Sequence, residues 1–515
     1  MQVVKTLLYF WFILSGSAGI AVAQQDLGTS ATLEWLRNPK VRESNGSGLG
    51  SSSVRYEPDV IPLAARVVAL AEEPVPAFRY RFWPAKPSLK PGSAQMHFYR
   101  AVMSYQSLTH PNQDQIMQLH ALSGRELEEI SAEEAAPWVN RLKTVFDELE
   151  LMANSESFDW DFRFRDKQGK DIWMTQLEEV QQARSLARLL HLKIVVHIAK
   201  GEHDAAVNTI QTGFRLASFV GQGESLIQTL VGMAIEQTMY HAVDYAIHAP
   251  GFPNMYWALR TLPPQLSDVE SAIETELEMS MRTPPILTEE EIAPLSDPEI
   301  LRRLRLGLGD LKSLMPGSDQ GIGATEMMAA ILVASGSDAK RKLRAAGYDA
   351  DRLAQLTDLQ ASLILSGVEL RKQRDTLLKA SKVGGLAGVQ VGNKAMQEFE
   401  AWTQANRGSV AGIVASMLFP AVNNVVDAEI RTRLWRSRLI AIEALRHYAA
   451  THDGKLPANL ESLVDTPIPF DPYTEKPFAY QVTQEGDTQI VHLTSEVPKL
   501  HESLRTVTVR FPQPN

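Results

Sequence analysis

The chain has 515 residues, of which 44% are hydrophobic and 22% are charged, a composition typical of a globular protein with several packed units. Its formal net charge is −10, which argues against general binding of nucleic acid, because phosphate binding needs clustered Lys and Arg. It contains no cysteine, which excludes disulfides, cysteine-ligated metal sites and thiol nucleophiles.

Residues 1–23 have the pattern of a signal peptide. Lys5 supplies a positive charge, residues 6–14 form an apolar segment, and the small-x-small sequence Ala-Val-Ala ends at Ala23. An uncleaved membrane anchor is the alternative, because residues 6–23 carry no charge and just reach the length that spans a bilayer. We therefore predict an exported protein, located in the periplasm, in the cell envelope or outside the cell.

Residues 24–94 are predicted to form a flexible N-terminal region. Residues 44–53 are a Gly/Ser linker, and prolines recur between this linker and residue 94. Within this region, residues 78–82 alternate aromatic side chains with Arg at the period of a strand. We interpret them as an edge strand that packs its rings on the helices. A stacking platform for single-stranded nucleic acid is the alternative, which the acidic composition does not favour.

Residues 95–264 are predicted to be a helical domain, and the strongest pattern lies in residues 182–262. The apolar positions of the first helix in this stretch are Ala183, Leu186, Ala187, Leu190, Ile194 and Ile198. Their spacings of three and four place one apolar stripe along one helix face. Gly201 then breaks the pattern where a helix would end, and a second helix follows it. Such a pair must bury its stripes against neighbouring helices.

The remaining chain divides into residues 265–408, a second helical region with loops, and residues 409–515, a long helix plus a small β element. Three short segments near the C-terminus are rich in β-branched and aromatic residues and predict strands, with a hairpin turn at 485–487. The fold class is therefore predicted as mainly α. We expect an irregular helical-hairpin (α-solenoid-like) array with a small C-terminal α+β element.

Three stretches resemble known families. Residues 200–216 are similar to half of a tetratricopeptide repeat, with Gly201 between the helices and Ala206 at the small packing position. No second copy follows at the period of about 34 residues, so the resemblance implies one hairpin and not a regular array. Residues 446–480 are similar to the globular head of type II secretion pseudopilins. They differ from that family at Glu475 and lack its N-terminal methylation motif, so filament assembly is not implied.

Residues 95–482 as a whole resemble a group of exported bacterial helical proteins with no established activity. The segments that carry this resemblance are 211–214, 256–259 with Leu262 and Pro263, and 340–375. The resemblance implies export and a helical body. It supplies no catalytic residues.

Two sets of residues are candidates for chemistry. His241, Asp244 and His248 lie at positions i, i+3 and i+7 of one helix and could hold zinc or iron with a further ligand. A solvent-facing helix side or a hydrogen-bond network is the structural alternative. Asp159 and Asp161 alternate with aromatic residues and could act as an acid/base pair or share a metal. Their structural alternative is to cap a helix and hold a loop.

The aromatic residues around this carboxylate pair would stack sugar rings if the protein were a glycosidase. The leading prediction is nevertheless a non-enzymatic, exported cell-envelope protein with a binding or scaffolding role through a concave helical face. We expect its partner to be a protein or an envelope polymer, and we expect no cofactor and no nucleic acid. The alternative is a metal- or carboxylate-dependent hydrolase that acts on an extracytoplasmic polymer.

Overall fold

The computed structural model describes residues 67–109, 113–167, 170–173, 178–281, 288–314, 330–383, 385–409, 411–412, 415, 422–497 and 499–512. The predicted signal peptide and the Gly/Ser linker lie outside these residues. The described chain is mainly helical and ends in a small three-stranded sheet, which confirms the predicted fold class.

The helices of the first half are α1 (Gln95–Thr109), α2 (Gln113–Ser123), α3 (Ala132–Arg141), α4 (Lys143–Ala153), α5 (Lys170–Trp173), α6 (Glu178–Ala199), α7 (His203–Gly221), α8 (Leu226–Ile247) and α9 (Tyr256–Arg260). Those of the second half are α10 (Val269–Met281), α11 (Glu289–Ile292), α12 (Asp297–Leu314), α13 (Gly336–Ala345), α14 (Ala350–Gln355), α15 (Asp358–Val383), α16 (Gly385–Ala405) and α17 (Val422–Thr451). The strands are β1 (Lys90–Ser93), β2 (Ser155–Ser157), β3 (Ala479–Glu485), β4 (Thr488–Thr494) and β5 (Thr506–Pro512). β1 and β2 form a short parallel pair.

Helices α6, α7 and α8 form the centre of the first half, and α7 packs against both of the others and against α4. The hairpin of α6 and α7 is the helical pair that the apolar spacing predicts. Gly201 lies between these two helices with φ +70°, a left-handed conformation that glycine adopts without strain. Ala206 and Ile210 of α7 are fully buried.

Helices α7 and α8 approach each other backbone to backbone. A Cβ atom on Gly232 would lie 2.3 Å from the Cα atom of Gly221, so position 232 has no room for a side chain. α8 begins with a capping box, in which the Ser225 side chain accepts from the backbone N–H of Gln228. Local capping and close packing thus fix the position of α8.

The long helix α17 joins the two halves of the molecule, because it packs against α8, α9, α16 and β5. Glu443 and Arg446 lie one turn apart on α17, both side chains are 0% exposed, and their charged atoms are 2.5 Å apart. Arg446 also donates to the carbonyl oxygens of Ala69 at 2.6 Å and Phe252 at 3.1 Å. Glu443 accepts from the backbone N–H of Met255 at 2.7 Å. The buried pair therefore binds two separate segments of the chain, one before the helical body and one in the loop before α9.

The C-terminal sheet has the order β3-β4-β5, and both strand pairs are antiparallel. The hairpin turn falls where it was expected, with Gly486 at φ +58°. Buried Arg438 of α17 holds the sheet, because its guanidinium donates to Ser495 Oγ at 3.1 Å and to the carbonyl oxygens of Leu504 and Arg505. The sheet is therefore attached to the same helix that carries the buried ion pair.

Residues 67–83, which we call the strap, belong to the predicted flexible region and run along the helical body. The strap begins at the sheet, where the N–H of Val68 donates to the carbonyl oxygen of Arg510 at 2.9 Å. At its other end, the N–H groups of Phe82 and Trp83 both donate to Thr261 Oγ1 at 3.2 Å. Phe82 is completely buried.

The prediction of an edge strand at residues 78–82 is wrong, because these residues form bends and a turn. Their backbone groups bond to helix side chains instead of to a neighbouring strand. The carbonyl oxygen of Arg81, for example, accepts from Gln211 Nε2 at 2.8 Å. None of the described helices combines the length and apolar character needed to cross a membrane.

Replacing Arg446 by Met should unfold the protein more easily, because the Glu443 carboxylate would remain buried without its partner. We expect the free energy of unfolding to fall by about 3–5 kcal/mol. Urea unfolding followed by circular dichroism measures this loss.

The matched control is Lys143→Met, which breaks the exposed Lys143–Asp147 pair, whose side chains are 73% and 53% exposed. This control should lose much less than the Arg446 variant, because exposed ion pairs contribute little to stability. Equal losses in the two variants would contradict the role assigned to the buried pair.

Candidate functional site

Asp159 and Asp161 lie on an exposed loop, and each carboxylate has a local partner. The Asp159 side chain accepts from the backbone N–H of Asp161 at 2.9 Å, which is an Asx turn. Asp161 accepts from Arg163 Nε at 2.6 Å, and both of these residues have positive φ angles near 50°. The two carboxylates therefore stabilise a strained turn, as the structural alternative for this pair expects.

The aromatic rings beside these carboxylates pack against one another and against the helices. Phe158 and Trp160 lie 4.5 Å apart by ring centroid, and Trp160 also contacts Phe98 of α1. The Trp160 indole N–H donates to the carbonyl oxygen of Phe219 at 2.7 Å. The Trp160 side chain thus anchors the loop on α7, and its ring is 8% exposed.

The candidate metal residues lie at the C-terminal end of α8, where His241 contacts α17. The other two are Asp244 and His248. The His241 ring is 5.0 Å from the ring of Trp435, and its burial lowers the pKa of the imidazole. The Nε2 atom of His248 is 3.8 Å from Asp244 Oδ1. Across the described ranges, no three His, Asp or Glu side chains are grouped so that they could hold a metal ion.

A buried acidic residue, Glu236, also lies on α8. The Tyr240 hydroxyl donates to Glu236 Oε1 at 2.7 Å, and both side chains are buried. Burial raises the pKa of Glu236 to about 7 and raises that of Tyr240 well above its ordinary value. Near neutral pH the Glu236 carboxyl therefore exchanges between its protonated and ionised forms inside the core.

A pocket of about 410 Å³ lies at the turn between α6 and α7. Its lining residues are Tyr80, Gly201, Glu202, His203, Asp204, Ala205, Gly251 and Pro253. They come from three parts of the chain, namely the strap, the α6–α7 turn and the loop between α8 and α9. We call this feature the turn pocket.

Hydrogen bonds hold the polar side chains of the turn pocket in place. The Tyr80 hydroxyl donates to Asp204 Oδ1 at 2.8 Å, and Arg79 Nη2 donates to Asp204 Oδ2 at 3.2 Å. These hydrogen bonds lower the pKa of Asp204, and the bond from Tyr80 has the largest effect. The pKa of Glu202 is lowered by its hydrogen bond with His197 Nδ1, at 2.6 Å. Both pocket carboxylates are therefore ionised at neutral pH.

An apolar surface adjoins the turn pocket along the strap. Val75 is 89% exposed and Phe78 is 48% exposed. The Phe78 ring rests on Trp257 of α9, with centroids 5.5 Å apart, and the guanidinium of Arg81 lies 4.9 Å from the Phe78 centroid. This arrangement presents an aromatic side chain to solvent in a fixed position, two residues before Tyr80 of the turn pocket.

Sequence patterns do not predict the turn pocket. Tyr80 and Asp204 are separated by 124 residues, and no local spacing indicates that they meet. A partial signal lies in the Glu-His-Asp sequence that follows Gly201, because three polar residues at a helical turn are accessible to a ligand. Comparison with protein families, with curated proteins and with solved structures finds no match to this chain.

Replacing Glu236 by Gln should change how stability depends on pH. The folded-state pKa of about 7 lies above the ordinary value of 4.5, so the native protein binds more protons than the unfolded chain between these values. Its free energy of unfolding therefore loses this contribution as the pH rises from 4.5 to 7. The difference in free energy of unfolding between the Gln variant and the parent protein should therefore increase by up to about 3 kcal/mol, in favour of the variant, between about pH 4.5 and pH 8.

Urea unfolding of both proteins at the two pH values measures this gain. An exposed acid, changed as Glu133→Gln, is the control and should differ from the parent by the same amount at both pH values. A difference between the Glu236→Gln variant and the parent that stays constant with pH would contradict the assignment.

Proposed function

We propose that the chain is an exported cell-envelope protein that binds a protein or an envelope polymer without catalysing a reaction. Its contact surface is the turn pocket together with the exposed part of the strap. The observation that carries this proposal is the attachment of the strap to the turn pocket, because Tyr80 and Arg79 bind Asp204 in the same segment that exposes Val75 and Phe78. Ligand sites commonly combine an apolar surface with a few fixed polar groups.

The geometry of the residues that could support a hydrolase favours the binding function. Asp159 closes an Asx turn, and Asp161 pairs with Arg163. His241 packs against the ring of Trp435. Each of these side chains has a structural role in the loop or the helix interface where it lies.

The chemistry of the surface indicates the chemistry of its partner. The carboxylates of Glu202 and Asp204 are accompanied by the guanidinium groups of Arg79 and Arg81 on the strap, which favours a partner that carries both basic and acidic groups. The exposed ring of Phe78 favours an apolar group beside them, since aromatic residues anchor many interfaces. A peptide segment with charges of both signs and a polymer that carries amino and carboxylate groups both meet these requirements.

A photoreactive amino acid in place of Phe78 tests this proposal in the cell that makes the protein. We expect a covalent adduct with one defined partner, because the side chain would lie inside the contact surface. The control places the same amino acid at Val464, which is 80% exposed and lies outside the turn pocket and the strap. The adduct should disappear when Asp204 is changed to Lys in the Phe78-labelled chain. Equal adducts from both positions, or none from position 78, would contradict the proposed surface.

Export is tested by N-terminal sequencing of the protein recovered from the cell envelope. Cleavage after Ala23 gives a chain that begins at Gln24, and Ala23→Leu should block it because the small side chain is lost. An unprocessed chain held in the membrane would support the retained anchor instead. Recovery of the chain in the cytoplasm would contradict export altogether.

A further inference from the structure

The C-terminal sheet has one covered edge and one open edge. At the β5 edge, Val67 forms a parallel bridge with Arg510, and the N–H of Val68 donates to the Arg510 carbonyl oxygen. The opposite edge is β3, which pairs only with β4 in the sheet order. Among the described residues, no other backbone segment bonds to the outer side of β3.

Strand β3 extends beyond the part of the sheet that the helical body covers. Six of its seven residues are exposed, and Tyr480 is half-buried. Val482 is 37% exposed, whereas Val491, its partner on β4, is completely buried. Within the described part of the chain, β3 is therefore largely open to solvent, together with its outer backbone groups, except at Tyr480, whose hydroxyl donates to the carbonyl oxygen of Pro457 at 3.0 Å.

Strand β3 lacks the features that usually prevent an edge strand from pairing. Its sequence, Ala-Tyr-Gln-Val-Thr-Gln-Glu, has no Pro and no Lys. Its seven residues pair with β4 in an uninterrupted register, without a bulge. Natural proteins protect long regular edges with such features, so an unprotected edge points to a strand that covers it.

The sequence of β3 is complementary to itself in an antiparallel arrangement. Placing Val482 opposite Val482 of a second copy pairs all seven residues, with Gln481 opposite Thr483 and Tyr480 opposite Gln484. In this register, the two residues of each pair point to the same face of the sheet, because alternate residues of a strand share a face and the paired residue numbers are both odd or both even. The only charged residue, Glu485, lies opposite Ala479, so the two carboxylates are at opposite ends of the ribbon.

We propose that β3 pairs with β3 of a second copy of this chain across a two-fold axis. The two sheets then form one continuous antiparallel sheet of six strands. A two-fold axis needs one self-complementary patch, which β3 supplies, and the exposed part of Val482 is covered by its own counterpart. This interface lies on the C-terminal sheet and does not depend on the proposed role of the turn pocket.

The absence of cysteine from the chain permits a direct test of this pairing. In the Val482→Cys variant the two introduced thiols lie opposite each other, with Cα atoms about 4.5 or 5.5 Å apart in an antiparallel pair. Both distances suit a disulfide. We expect mild oxidation of the full-length chain to give a covalent dimer. The control Val464→Cys, at a valine that is 80% exposed, should give no disulfide-linked dimer.

Charge substitutions at the same position test the two-fold arrangement without a covalent bond. Val482→Lys and Val482→Glu should each sediment as a monomer, because like charges then face each other. An equimolar mixture should sediment as a dimer, since Lys then faces Glu. Circular dichroism melting of each variant checks that the chain is folded, and Val464→Lys is the matched control that should remain dimeric.

Three outcomes would overturn the proposal. The first is a parent chain that sediments as a monomer at every concentration tested. The second is equal disulfide formation from positions 482 and 464, and the third is a mixture of the charged variants that stays monomeric. If the parent chain is a monomer, and a photoreactive amino acid at position 482 labels a different protein in cells, then the edge pairs with a strand of that protein instead.

Discussion

The buried pair of Glu443 and Arg446 is the interaction on which the arrangement of the molecule depends. Charged groups enter a protein interior at a high free-energy cost unless each finds a partner and further hydrogen bonds. Here those bonds come from the strap, through Ala69, and from the loop before α9, through Phe252 and Met255. The pair can be buried only when both segments are in place, so it ties their positions to α17.

The turn pocket takes its shape from the same constraint. Gly251 and Pro253 of its wall flank Phe252, whose carbonyl oxygen accepts from Arg446. Tyr80 reaches the pocket from the strap, which Arg446 also binds at Ala69. The contact surface proposed for a partner is therefore built on segments that the ion pair fixes, and a ligand would find it largely preformed.

Local patterns in the sequence predict the two hairpins, because each depends on near neighbours. The α6–α7 hairpin follows from apolar spacing and Gly201, and the hairpin between β3 and β4 follows from its turn residues. The turn pocket and the bent form of residues 78–82 depend on groups more than 100 residues away, as the 124-residue separation of Tyr80 and Asp204 illustrates. Sequence can place Glu443 and Arg446 one turn apart, but it cannot reveal that both are buried.

The contact of the strap with the last strand affects the order in which the chain can fold. Val68 bonds to Arg510, and Ala69 bonds to Arg446, 377 residues further along. During synthesis the end of the strap at Phe82 can bind α7 and Thr261 early, whereas its beginning at Val68 and Ala69 lacks these two partners until α17 and β5 have left the ribosome. The contacts that fix the beginning of the strap therefore form after those of its other end, and a chain that lacks residues 422–512 cannot make them.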